Sequence, residues 1–106
     1  MGHDISGYNK AREEIAYARF SMGNYNSTIL YSLLDADKYF AGVSGCGASS
    51  TFSIQQIEKA LTTYNQLFGS GDNLAENNWD LKQILTFMQD CLTTAQKEGD
   101  VSIYFG

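Results

Sequence analysis

The longest regular hydrophobic pattern in the chain lies between residues 77 and 98. Apolar side chains recur there at spacings of one, three and four residues, at Leu81, Ile84, Leu85, Met88, Leu92 and Ala95. Because an α-helix turns once in about 3.6 residues, these positions form one apolar stripe. The pattern predicts a helix that begins at Asn77 or Asn78, ends before Gly99 and buries one face against other elements.

Three shorter segments repeat this periodicity, and clusters of Gly, Ser and Asn separate them. The predicted helices run from Asn9 to Met22, from Ser27 to Ala41 and from Ser53 to Phe68. A glycine follows each of them, and glycine is the residue that most often ends a helix. The last of the three has the clearest start, because Ser53 and Gln56 fit a capping box.

The C-terminal segment has a different character. Residues 101–105 are rich in β-branched and aromatic side chains, which predicts a short strand. A single strand would leave its backbone groups unpaired, and the other strand-like segment is Asp4–Ser6. We therefore expect the two terminal segments to pair with each other. The alternative is that residues 101–106 pair with a second copy of the chain.

These patterns predict one mainly α domain over residues 1–106. It consists of about four helices packed as a small bundle, with a short β-ribbon formed by the N- and C-terminal segments. A length of 106 residues is typical of a single domain. An apolar fraction of 43% argues against intrinsic disorder.

The charge balance limits the possible partners. Twelve acidic residues stand against seven basic ones, and the net charge is −5. Nucleic acids are not expected as partners, because phosphate binding needs clustered Lys and Arg. A membrane is not expected either, because no run approaches the roughly 18 apolar residues of a span. Without a visible secretory signal, the cytoplasm is the expected compartment, and Cys46 and Cys91 are expected to be free thiols.

The segment 42–52 is the first candidate site, because it is rich in Gly and Ser. Small residues allow backbone amides to converge on an anion, and the predicted helix that follows adds the positive end of its dipole. Neither a P-loop nor a dinucleotide fingerprint matches the spacing of its glycines. The alternative is a plain helix–helix connection. The candidate ligand-binding residues are Asp37, Ser44, Gly45, Cys46, Gly47, Ser49 and Ser50.

Two members of this set raise separate questions. Asp37 lies in the apolar arc of its predicted helix, so its carboxylate either orders the following loop, lies in an exposed last turn or faces a ligand. Cys46 is a nucleophile only if a base or cation lowers its pKa, and His3 is the one histidine in the sequence. Otherwise Cys46 is a small, partly buried thiol. One His and two distant Cys do not make a zinc site, so no metal or cofactor is predicted.

Aromatic side chains outside the apolar stripes form the second candidate site. A contiguous group of them at the surface would mark a protein interface or a self-association surface. These residues are Tyr17, Phe20, Tyr25, Tyr31, Trp79 and Phe87.

The sequence therefore predicts a non-enzymatic binding module, a small acidic adapter, inhibitor or regulatory protein that acts through a protein–protein surface. The alternatives are a protein that binds a small molecule, nucleotide or anion at residues 42–52, and a thiol enzyme that uses Cys46.

Overall fold

The computed structural model describes residues 2–68 and 79–106, which form two layers, one of helices and one of strands. A short 3-10 helix, Asp37–Tyr39, follows the first α-helix. The strands are all antiparallel and lie in the order β2-β1-β4-β3. The elements are β1 (Gly2–Tyr8), β2 (Glu14–Ser21), α1 (Asn26–Leu33), β3 (Ala48–Ser53), α2 (Ile54–Phe68), α3 (Trp79–Glu98) and β4 (Asp100–Phe105).

The predicted fold class, a mainly α bundle of about four helices, is wrong. Over residues 2–68 and 79–106, three α-helices pack against a four-stranded antiparallel sheet. The predicted pairing of the terminal segments is present, since Ile5 lies opposite Phe105. This pair forms the centre of the sheet rather than a separate ribbon, because β2 and β3 add to its two sides.

The first predicted helix, residues 9–22, is instead a hairpin loop followed by strand β2. The apolar residues of this segment fit both the helical period of 3.6 and the strand period of two. Ala16, Ala18 and Phe20 are buried and alternate with exposed side chains. Seven backbone pairings with β1 favour the period of two, from Gly2 opposite Ser21 to Tyr8 opposite Glu14. Tertiary pairing thus overrides the helical pattern.

The second predicted helix ends earlier than its pattern indicates. Helix α1 stops at Leu33, and Asp35 then adopts a left-handed backbone with φ of 55°. The Ala36 N–H donates to the Tyr31 carbonyl at 2.8 Å, which closes the helix end in the way a glycine usually does. The predicted loop 42–52 is also shorter, because residues from Ala48 onward belong to β3.

The two remaining helices agree with their sequence patterns. The Gln56 N–H donates to Ser53 Oγ at 3.2 Å, and Gln56 Oε1 accepts from the Ser53 N–H at 2.8 Å, as a capping box requires. Helix α3 ends at Glu98, and Gly99 follows with φ of 93°. Gly69, the predicted end of α2, and Asn77 or Asn78, the predicted start of α3, lie outside the described residues.

The core lies between the sheet and the helices. Its buried side chains include Ile5, Phe20, Ile103 and Phe105 from the strands and Phe87 from α3. Three α-helices cover one face of the sheet, and the opposite face has no element packed on it in the described part of the chain. Among the described helices, none has the length and apolar character to span a membrane.

Candidate functional site

The uncovered face of the sheet is the main candidate site, and we call it the open face. Strand alternation turns every second side chain of each strand toward it. Its members include Asp4, Ser6 and Tyr8 on β1, Glu14, Tyr17 and Arg19 on β2, Asp100, Ser102 and Tyr104 on β4, and Ser49 and Thr51 on β3. The open face thus consists mainly of tyrosine and hydroxyl side chains.

Two tyrosines flank the middle of the open face. Ser6 lies directly opposite Tyr17 on one neighbouring strand and opposite Tyr104 on the other. Ser6 is only 6% exposed although it is on the uncovered side, whereas Tyr17 is 48% and Tyr104 39% exposed. The two rings therefore shield the serine and offer their own outer surfaces to solvent.

One end of the open face is occupied by an internal polar network. The Tyr17 hydroxyl donates a hydrogen bond to Asp4 Oδ1, and Arg19 Nε lies 3.8 Å from the same oxygen. The hydrogen bond to Asp4 raises the pKa of Tyr17, with burial as a smaller cause. Because these three groups bond to one another, this end of the face is already paired.

The other end of the open face contains a solvent-open cavity of about 560 Å³. Tyr8 and Tyr104 line it with aromatic surface, while Ser49, Thr51 and Ser102 add hydroxyl groups. The charged groups at the cavity are Lys10, Arg12 and Asp100. The net charge of the cavity lining is therefore +1, whereas the net charge of the whole chain is −5.

The β1–β2 hairpin holds the basic side of this cavity in place. The Arg12 N–H donates to the Asn9 carbonyl at 3.0 Å, and the Asn9 N–H donates to the Glu13 carbonyl at 3.1 Å. The Lys10 N–H donates to Glu98 Oε1 of α3 at 2.8 Å. Arg12 has φ of 63°, at the place where such a three-residue loop normally has glycine. A left-handed backbone at a non-glycine residue costs about 1–2 kcal/mol.

The central amides of the Gly-rich segment, at residues 45–47, are already bonded and so are not free for an anion. The Gly45 N–H donates to the Gly106 carbonyl, the Cys46 N–H to the Tyr39 carbonyl and the Gly47 N–H to the Phe105 carbonyl, all within 2.9 Å. A Cβ at Gly45 would lie 2.5 Å from the Phe105 carbonyl oxygen. The segment leads into β3 rather than into a helix N-terminus. The glycine therefore serves close packing against the C-terminus, and the geometry does not favour an anion site.

His3 lies beneath this segment, as a pairing with Cys46 would require, but its ring nitrogens have other partners. Nε2 is 3.1 Å from the Gly42 carbonyl oxygen, so it carries the hydrogen. Nδ1 is 2.9 Å from the Tyr31 hydroxyl, and the ring stacks on Phe40 at 5.1 Å. Cys46 is exposed and gains no base from this histidine. The arrangement therefore does not favour a thiol enzyme.

The other predicted ligand-binding residues are dispersed. Asp37 is exposed at the start of the 3-10 helix, where its carboxylate accepts from Ser32 Oγ at 3.2 Å. Ser44 Oγ donates to the carbonyl of Gly45 at 2.9 Å. Within β3, Ser49 belongs to the open face and Ser50 alternates to the helix side. The structure does not bring this set together around one point.

The six aromatic candidates separate into two groups. Phe20, Tyr31 and Phe87 are buried in the core, so they offer no surface to a partner. Tyr17 belongs to the open face. Tyr25 and Trp79 are 87% and 77% exposed in the helical layer. There Asn24 and Asn26 donate to the carboxylate of Asp80 at 2.8 and 2.9 Å.

Of the residues around the cavity, only Ser49 was predicted as a site residue. The others are Tyr8, Asn9, Lys10, Arg12, Thr51, Asp100, Ser102 and Tyr104. Two of them could have been found from the predicted strand 101–105. Side chains alternate between the two faces of a strand, which turns Ser102 and Tyr104 away from the core. The hairpin residues could not be found in this way, since their segment also matched a helix.

Within residues 2–68 and 79–106, no group of three or more His, Cys, Asp or Glu side chains could hold a metal ion. No protein-family model matches the chain, and no curated protein or solved structure is significantly similar to it.

Proposed function

We propose that this protein is a non-enzymatic binding module that engages a partner protein through the open face of its sheet. The observation that carries the proposal is the cavity between Tyr8, Tyr104 and the β1–β2 hairpin. We place this binding in the cytoplasm, because Cys46 is exposed and Cys91 buried, and neither forms a disulfide.

The composition of the open face supports a protein as the partner. Tyrosine supplies rigid contact area that is apolar on its ring and polar at its hydroxyl, while Ser and Thr hydroxyls adapt to many hydrogen-bond partners. A small-molecule site normally encloses most of its ligand, whereas this cavity opens broadly to solvent. Single-stranded nucleic acid also stacks on aromatic side chains, but it requires a basic groove, and Arg19 is already paired with Asp4.

The charges at the cavity indicate the chemistry of the partner. Lys10 and Arg12 lie on its hairpin side, and Asp100 is the opposing acid. A partner that presents a carboxylate beside an apolar or aromatic group would pair with the hairpin and pack on the tyrosines. The partner is therefore an acidic, partly apolar protein segment.

The backbone of Arg12 supports a role in binding. Glycine would remove the left-handed strain, yet the loop carries an arginine at the cavity. Residues held in strained conformations cluster at functional sites. We expect Arg12→Gly to keep or raise the melting temperature, since it relieves strain, and to weaken partner binding, since it removes a cation.

The experiment compares the capture of partner proteins from a lysate of the source cells by four immobilised proteins. These are the wild type and the variants Tyr25→Ala, Arg12→Gly and Tyr104→Ala. A protein retained by the wild type and by Tyr25→Ala, but lost with both Arg12→Gly and Tyr104→Ala, would support the proposal. Melting temperatures of the variants are measured in parallel, so that loss of binding is separated from loss of fold. Retention by all four proteins, or loss with Tyr25→Ala alone, would contradict it.

A further inference from the structure

The two edges of the sheet differ in whether their outward backbone groups are bonded. At the β2 edge, the side-chain amide of Gln83 on α3 bonds to the backbone of Arg19. The Arg19 N–H donates to Gln83 Oε1 at 2.7 Å, and Gln83 Nε2 donates to the Arg19 carbonyl at 2.9 Å. A helix side chain therefore occupies the position that a further strand would take.

At the β3 edge, the outward backbone groups follow from the pairing pattern. Asp4 and Gly106 exchange two backbone hydrogen bonds, at 3.1 and 2.9 Å, so this pair lies between β1 and β4. Hydrogen-bonded and non-bonded pairs alternate along an antiparallel ladder. It follows from the register that Ser50 and Phe52 bond to β4, whereas Ser49, Thr51 and Ser53 turn their backbone groups outward.

Part of this edge is capped. The Ser53 N–H donates to the Gln56 side chain at 2.8 Å, as part of the capping box. Ser49 and Thr51 are left with two N–H and two C=O groups that meet solvent, and no bond to them is seen from the described residues. Their side chains are exposed as well. The edge thus offers four backbone groups in one row.

We propose that β3 pairs antiparallel with β3 of a second copy of this chain, joining two four-stranded sheets into one of eight strands. In the register that places Ser49 opposite Thr51 of the other copy, all four outward groups form hydrogen bonds. Ser50 then lies on the two-fold axis and faces its own counterpart. An isologous contact of this kind closes after two copies.

The composition of β3 favours a second copy as the occupant. Edge strands are usually protected by Lys, Pro or another charged residue, and residues 48–53 contain none. Each copy has a net charge of −5, but β3 itself is uncharged. Pairing of two β3 strands therefore places no like charges next to each other. Small side chains at Ala48 and Ser50 also leave room for a facing strand.

The strand pairing buries much less area than the roughly 1,600 Å² of a standard stable interface. The dimer is therefore weak and depends on protein concentration, so a covalent trap is the suitable measurement. Ser50 and its counterpart would form a non-hydrogen-bonded pair with Cα atoms about 4.5 Å apart. Disulfides form across such distances.

The experiment uses Cys46→Ala as background, because Cys46 is exposed. Ser50→Cys and Thr51→Cys are oxidised separately with copper phenanthroline and followed on non-reducing gels. Ser50→Cys is expected to form a species of twice the 11.7 kDa chain mass several times faster than Thr51→Cys. Exposure alone predicts the opposite order, since Thr51 is exposed and Ser50 half-buried.

Thr51→Pro provides the second test, combined with Ser50→Cys. Proline removes an outward N–H without breaking a bond to β4, and edge strands accept it. We expect it to slow the cross-linking of Ser50→Cys, while Thr51→Val, which keeps the N–H, does not.

Faster cross-linking at position 51, or no effect of proline, would overturn the proposal. So would a constant monomer mass of the unmodified chain in sedimentation across a concentration series. The readout involves no partner protein, so its outcome is separate from that of the proposed function.

Discussion

Phe105→Ala is expected to destabilise the fold by about 3–5 kcal/mol, the range for removing a fully buried phenylalanine. Phe105 lies on β4, between Ile5 of β1 and Ala48 of β3. Its ring stacks on Tyr39 with centroids 4.9 Å apart, and Tyr31 lies at 5.4 Å. Domains of this size have only about 5–15 kcal/mol of stability in total. Urea unfolding followed by circular dichroism measures the loss.

Tyr104→Ala is the matched control for this prediction. Tyr104 is the neighbouring residue on the same strand, but its ring lies on the open face and is 39% exposed. Its loss removes cross-strand contacts worth about 1 kcal/mol or less. Equal destabilisation by the two variants would contradict the assignment of one face to the core and the other to solvent.

Raising the pH from 9 to 12 is expected to destabilise the protein strongly, through Cys91 and Tyr31. Burial, with a smaller effect of Asp90, raises the pKa of the Cys91 thiol from 9.0 to about 12. Burial likewise raises the pKa of Tyr31 from 10.0 to about 12. Both groups ionise first in the unfolded chain. Their stabilising contribution is therefore complete below pH 9 and is lost as the pH rises toward 12.

The size of the effect follows from the pKa difference between the folded and unfolded chains. Each unit corresponds to about 1.4 kcal/mol, so Cys91 alone accounts for about 4 kcal/mol across this range. The measurement is the free energy of unfolding at several pH values. Cys91→Ala is expected to show a shallower decline above pH 9 than the wild type. A decline equally steep in Cys91→Ala would show that the thiol is not the cause.

Local sequence signals identified those parts of the fold that local interactions determine. The capping box at Ser53 and the apolar stripe of α3 depend on residues within a few turns of each other, and both helices are present. Strand β3 depends instead on pairing with β4, which is distant in sequence. Strand β2 depends on pairing with β1 across a hairpin, and its own residues also fit a helical pattern. The segment Ala48–Ser53 has little strand character of its own, since four of its six residues are Ser or Thr.

The same distinction explains why the candidate site was largely missed. The cavity brings together the β1–β2 hairpin, β3 and β4, so its existence depends on the strand order of the sheet. Of the residues at this cavity, only Ser49 was a predicted site residue, and it was assigned to a different site. Among the aromatic candidates, Tyr17 lies on the open face. Phe20 and Phe87 are buried in the core, because β2 and α3 turn their side chains inward.

The most direct test of the open face as a binding surface is photo-cross-linking in the source cells. Benzoylphenylalanine replaces Tyr104 in one variant and Tyr25, which is 87% exposed in the helical layer, in the other. The account predicts that the probe at position 104 yields a defined cross-linked protein, that Arg12→Gly abolishes this product, and that position 25 yields none. A defined product from position 25 with none from position 104 would contradict the account and assign the binding surface to the helical layer.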